Sequence, residues 1–155
     1  MERDPDQFAD ADTLDQRGQA AGRWRRFFHA GVVNRHRSLV AAHTYVYLDH
    51  LVRVHDSVEI PTRTIELKWA GYVFPNAVVR PGTTRLFDCC WLWHDSPSKA
   101  YFNAFADSTD YMTVVEGPGV FHLRFTALAD RFDAQSLDLV LTLGMRLDEA
   151  RLVPA

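Results

Sequence analysis

From His43 onward the chain alternates apolar and polar positions with a period near two. "HTYVYLDHLVRVHD", "RTIELKWAGYVF", "TTRLFDCCWLWHD", "KAYFNAF", "YMTVVEG" and "GVFHLRFTAL" are short and rich in β-branched and aromatic residues. Turn-forming clusters separate them: "DSVEIP", "FPN", "RPG", "DSPS", "DSTD" and "EGPG". Strands recurring at about ten-residue intervals between such turns predict an antiparallel β-sandwich.

The pattern differs at both ends. Residues 1–12 read as a disordered acidic tail. "DTLDQRGQAAGRWRRFFHAG", from Asp12, reads as a helix that Asp12 or Thr13 caps, that Gly18 and Gly22 weaken and that Gly31 ends. A second short helix, "NRHRSLVAAH", would follow, giving a helical segment over 13–42 ahead of a sandwich domain over 43–130. The last stretch, 131–155, reads either as an amphipathic helix or as a final strand with a tail. Leu137, Leu139, Leu141 and Leu143 alternate as in a strand, whereas Leu137, Val140, Leu141 and Met145 share a helical stripe that Asp133 or Ser136 could cap. Val140, Thr142 and Gly144 favour the strand; the cap, the length and the following "RLDEAR" favour the helix. The expected fold class is thus mainly β: an antiparallel sandwich with an N-terminal helical segment and a short C-terminal helix. An α+β fold with a curved sheet is the alternative.

A chain of 155 residues favours one domain, and 47% apolar residues suffice for its core. A net charge of −3 is too small to steer strongly toward nucleic acid or acidic membranes. No apolar run reaches the roughly eighteen residues of a membrane helix. The acidic start "MERDPDQFADADTLDQ" resembles no signal or transit peptide, so the expected compartment is cytoplasmic or nuclear. Fifteen arginines stand against two lysines, Lys68 and Lys99, and the arginines between Arg17 and Arg37 read as a solvated face or a pairing surface for acidic groups rather than a nucleic-acid surface. The two cysteines, Cys89 and Cys90, are neighbours. On an extended segment they point to opposite faces, which suits neither a disulfide nor a zinc site, so both are expected to be reduced. His29, His36, His43 and His50 recur every seven residues, and this reads as coincidence because Gly31 interrupts any shared helix.

No GxSxG elbow, P-loop, GxGxxG or HExxH is present. Asp49 beside His50, and His94 with Asp88 and Asp95, have no recognisable nucleophile near them in the sequence. The expectation is a binding protein rather than an enzyme, with no metal and no cofactor.

Three segments resemble the von Hippel–Lindau tumour suppressor family. "KWAGYVFPNAVVRPGTT" places Gly71 eleven residues before Gly82 of a Pro-Gly-Thr turn; "WLWHDSPS" is similar to that family's Trp-Leu-Phe-Arg-Asp segment; "GPGVFHLRFT" is similar to its late Gly-x-Pro-Ile-Phe strand. A fourth piece, Ser136, Leu137, Leu141 and Met145, follows the spacing of an elongin C-binding box, with Leu141 where a cysteine usually stands. The terminal "RLVPA" faintly resembles the cullin-facing segment of such adaptors. The family's pocket histidine, tyrosine and tryptophan have no counterparts: Cys89, Asn76 and Glu66 stand there.

The resemblance implies a substrate-recognition adaptor of a cullin ubiquitin ligase. Phe74, Asn76, Trp91, Trp93 and His94 would bind an extended peptide, while Ser136, Leu137, Leu141 and Met145 on a helix would dock elongin C and bring a cullin. Independently of the resemblance, Trp91 and Trp93 lie two apart on a strand and share one face, which is either core or pocket. A second reading is a small-ligand binder or enzyme of α+β type with an aromatic and histidine-lined cavity. A third is a structural subunit of a large assembly. The C-terminus discriminates: an exposed amphipathic helix favours the adaptor, and "SLDLVLTL" as a strand inside the sheet favours the small-ligand reading.

Overall fold

The structure is a computed structural model, and it describes residues 25–62, 65–67, 69–70, 76–102 and 113–155. Among these residues eleven strands form two antiparallel sheets. In chain order they are β1 (Arg25–Val33), β2 (Ala41–Arg53), β3 (Val58–Glu59), β4 (Ile65–Glu66), β5 (Ala77–Val79), β6 (Thr84–Trp93), β7 (Ser96–Phe102), β8 (Thr113–Glu116), β9 (Gly119–Ala129), β10 (Phe132–Leu143) and β11 (Arg151–Pro154). The smaller sheet runs β1-β6-β7-β8. The larger runs β11-β10-β9-β2-β3, with β4 and β5 also pairing with β2. The fold is the expected antiparallel β-sandwich.

Alternation builds the core. Phe28, Ala30 and Val32 of β1 and Phe87 and Leu92 of β6 face inward from the small sheet. Val46, Leu48 and Leu51 of β2, Phe121, Leu123 and Phe125 of β9, and Leu139, Leu141 and Leu143 of β10 meet them from the large one. Phe87 packs on Phe125 at 5.6 Å and edge-on to Trp69 at 6.4 Å, across the layers. Leu67 and Ala70 tie to different sheets: the Leu67 amide donates to the Val46 carbonyl of β2 (2.8 Å), and the Ala70 amide to the Leu86 carbonyl of β6 (2.9 Å).

The turns follow their sequence signals. At Arg80-Pro81-Gly82-Thr83 the Thr83 amide donates to the Arg80 carbonyl (3.1 Å), and Gly82 has φ +72°, as a turn with proline second and glycine third requires. In the β2–β3 turn Arg53 hydrogen-bonds Asp56, and this holds the Asp56 carboxyl down at about 2.

Three expectations are corrected. Arg25–Val33, assigned to the N-terminal helix, is strand β1, because its backbone pairs with β6 along the whole of Thr84–Trp93. The second helix over 34–43 is instead a loop leading into β2; the rest of the helical segment, and the acidic tail, lie outside the described residues. The C-terminal helix is strand β10, held between β9 and β11. The only helical turn described after it is a short 3-10 turn over Leu147–Glu149. Among the described residues no helix is long and apolar enough to cross a membrane.

Candidate functional site

The aromatic segment of β6 is shaped by one irregularity. Phe28 of β1 pairs with Cys90, but His29 pairs with Asp88, so Cys89 is the extra residue in the register. This β-bulge lets two neighbours face the same way. Cys89 and Cys90 are both buried in the core between the sheets, which corrects the expectation that they point to opposite faces. They form no disulfide, and burial pushes the Cys90 thiol up, away from the reactive thiolate.

Beyond the bulge the alternation resumes with Cys90 and Leu92 inward and Trp91 and Trp93 outward. The tryptophans thus leave the intersheet core and form a second cluster with Phe27 and Tyr101 on the outer face of the small sheet. Cross-strand pairing builds the cluster into a row: Phe27 of β1 opposite Trp91 of β6, Trp91 opposite Tyr101 of β7, and Tyr101 opposite Val114 of β8. Trp91 stacks on Tyr101 at 4.4 Å and 13°, and Trp93 meets Trp91 edge-on at 5.5 Å. Trp91 is 5% exposed and forms the base; Trp93 and Tyr101 are half-buried and form the accessible surface.

Arg25 caps this cluster. Its guanidinium carbon lies 4.9 Å from the Trp91 ring, 5.3 Å from Phe27 and 5.4 Å from Trp93, a cation held against three π faces. Beside it His29 Nε2 meets Asp88 Oδ1 at 2.8 Å, and Lys99 meets Glu116 at 3.8 Å. The Arg25 Nε, Trp91 Nε1 and His29 Nδ1 atoms are buried and have no hydrogen-bond partner among the described residues. Each such group costs on the order of 1–3 kcal/mol until something accepts or donates to it.

The structure divides the expected peptide-binding set. Trp91 and Trp93 lie together on the outer face, and His94 stands next to Trp93 at the tip of the β6–β7 hairpin. Asn76 is elsewhere, its amide 3.4 Å from the Tyr45 hydroxyl of β2, on the large sheet. Phe74 lies outside the described residues. Phe27, Arg25 and Tyr101 were missed. The signal for Phe27 and Arg25 lay in "RWRRFF", which composition assigns to a helix and which pairing makes a strand.

The expected elongin-docking set is also redistributed. Ser136, Leu137 and Leu141 lie in β10, where residues four apart share a face with every second residue between them. Leu141 is fully buried in the core, Leu137 packs half-buried against it, Ser136 is exposed and hydrogen-bonds Thr126 at 3.0 Å, and Met145 is 67% exposed beyond the strand. They form no helical stripe. The four histidines of the seven-residue ladder likewise have four settings: His29 on Asp88, His36 in a loop, His43 on Asp130 and His50 near Glu59. Among the described residues no group of three or more His, Cys, Asp or Glu side chains is placed to hold a metal ion. No protein-family model, no curated protein and no solved structure matches the chain, so its reading rests on this geometry.

Proposed function

We propose that the protein is a peptide-recognition module, binding an extended segment across the outer face and open edge of the small sheet. One observation carries the reading: the row Phe27–Trp91–Tyr101–Val114 runs across all four strands and ends at an edge strand. Among the described residues β8 pairs with β7 on one side only. The Gly117 amide donates to the Ser98 carbonyl (2.7 Å), so in this antiparallel pair the N–H and C=O groups of Val114 and Glu116 point away from β7. An added strand would pair with them beside the 42%-exposed Val114, and the continuation of the segment across the outer face would meet Tyr101 and then Trp93. No bond is broken or made in this reading.

This keeps the peptide-recognition half of the adaptor expectation. Recruitment of elongin C and a cullin would need a helical stripe that Ser136–Met145 does not form, so it is left out. By the C-terminal discriminator, a strand inside the sheet favours the small-ligand or enzyme reading over the adaptor.

Peptides selected from a random display library against the full chain supply the test. Binding should fall at least ~10-fold in Trp93→Ala/Tyr101→Ala, the size of one lost aromatic contact set. It should be lost in Val114→Pro, which removes one outward N–H from an edge position that tolerates proline. Selected peptides that bind both variants as tightly as the original protein would sink the proposal.

A further inference from the structure

At the far end of β1 from Arg25 the two sheets part around a cleft of about 530 Å³. Val32 and Val33 of β1, the start of β2, the end of β9 and the start of β10 line it. Its volume comes from small side chains. Ala41, Thr44, Ala127 and Ala129 stand where strand ends in a sandwich ordinarily carry larger residues, and the first three are buried. The size falls within the range of small-molecule sites, and the lining combines apolar walls with a few polar groups.

One wall is fixed in advance. Asn34 is 4% exposed and uses every polar atom it has. Its side-chain amide donates to the carbonyls of Leu39 (2.8 Å) and Val79 (2.9 Å), and its Oδ1 accepts the His36 amide (3.0 Å). Its own amide donates to the Thr83 carbonyl (3.1 Å), and its carbonyl accepts from Gly82 (2.8 Å). These bonds hold the 34–40 loop to β5 and to the Pro-Gly turn. Within the loop His36 Nδ1 accepts the amides of Ser38 (3.1 Å) and Leu39 (2.8 Å). A nitrogen that accepts two N–H groups carries no proton, so the neutral ring bears its hydrogen on Nε2. The ring stands edge-on to Phe132 across the cleft at 6.2 Å. The cleft therefore has an alanine-floored apolar interior and a lip holding a fixed N–H donor, with Arg35 beside it and Asp133 and Gln135 on the β10 side.

We infer that this cleft binds a small monocarboxylate with a compact apolar body. The body fills the space over Ala41, Ala127 and Ala129, and the carboxylate accepts the His36 Nε2–H at the lip. This site is separate from the peptide face, and neither requires the other. Because the loop is already held by Asn34, binding orders little of the chain.

Amide chemical shifts of the full chain, read during titration with 4-phenylbutyrate and with 4-phenylbutylamine, test the inference. The carboxylate should shift the amides of Ala41, Thr44, Ala127, Ala129 and Gln135, and the amine should leave them in place. His36→Asn keeps an acceptor oxygen for the Ser38 and Leu39 amides, but its own N–H groups stop short of the Nε2 position, so affinity for 4-phenylbutyrate should fall ~10-fold. Ala129→Phe, at a half-buried position, should fill the cleft and abolish the shifts while leaving library peptides bound at the Trp93 face. Equal binding of acid and amine, unchanged affinity in His36→Asn, or no shift of the cleft amides with either probe would each overturn it.

Discussion

Trp91 and Trp93 share a strand and a face, yet they sit at different depths. Trp91 lies under Arg25 between Phe27 and Tyr101, with 5% of its surface exposed; Trp93 is half-buried at its edge. A ring that is buried on the outer side of a sheet still loses its stacking and its area when truncated. Trp91→Ala should therefore destabilise the domain by about 3–5 kcal/mol, the range for a buried aromatic cut to alanine. Trp93→Ala keeps the Trp91–Tyr101 stack and should cost about 1 kcal/mol, the scale of an aromatic pair beyond area burial. Urea denaturation of the two variants measures both. Equal losses would place Trp93 in the base of the cluster and remove it from the ligand surface.

At the scale of elements, β10 shows what a strand does to residues that a helix would present together. Leu141 is fully buried against the opposite sheet, whereas Met145 lies past the strand end with 67% of its surface exposed. Leu141→Ala should cost about 2–5 kcal/mol and Met145→Ala within about 0.5 kcal/mol, checked by thermal or chemical unfolding. On an exposed helix the two would behave alike. The same contrast marks what the chain revealed before its fold was known. The period-two segments from His43 on, the Pro81-Gly82 turn and the shared face of Trp91 and Trp93 were legible because each is set by neighbours within a few residues. β1 was not: "RRFFHAGVV" has no strong turn or strand signal of its own, and it extends because β6 offers nine residues of pairing. The Leu137–Leu143 segment satisfies both periods, and β9 and β11 on either side decide it. The Cys89 bulge, the open edge of β8 and the cleft under the Asn34 loop arise from partners tens of residues away, so no local pattern announces them. The site was thus half legible: its tryptophans from spacing, its arginine and edge only from topology.

Across the whole molecule the sheets are joined by more than their shared core. Leu67 bonds to β2 and Ala70 to β6, and Arg26 reaches from β1 to the opposite end of the chain. Its Nη1 donates to the carbonyl of Leu147 at 2.8 Å and to that of Ala150 at 3.3 Å, while its guanidinium lies 4.8 Å from the Phe28 ring. Leu147–Glu149 is the 3-10 turn that feeds β11, and Ala150 and Leu152 next to it are buried. The arginine therefore fixes the last strand of the large sheet from the small one. A charged donor shared between two carbonyls is worth about 1.5–3 kcal/mol. In Arg26→Leu those carbonyls lose this donor, and β11 is held by its pairing with β10 alone. Amide hydrogen exchange should accelerate at least ~10-fold at Arg151 and Val153, whose N–H groups face β10, through local opening rather than global unfolding. Amides in the middle of β9, such as Leu123, should keep their protection, because β9 is paired on both sides with β2 and β10. Arg26→Lys retains the charge but not the longer planar group that carries Nη1 to both carbonyls, and should fall between Arg26→Leu and the original protein. If β9 and β11 lose protection together, Arg26 stabilises the entire sandwich; if neither changes, the pairing of β11 with β10 suffices to hold the strand, and the tie across the sheets contributes nothing.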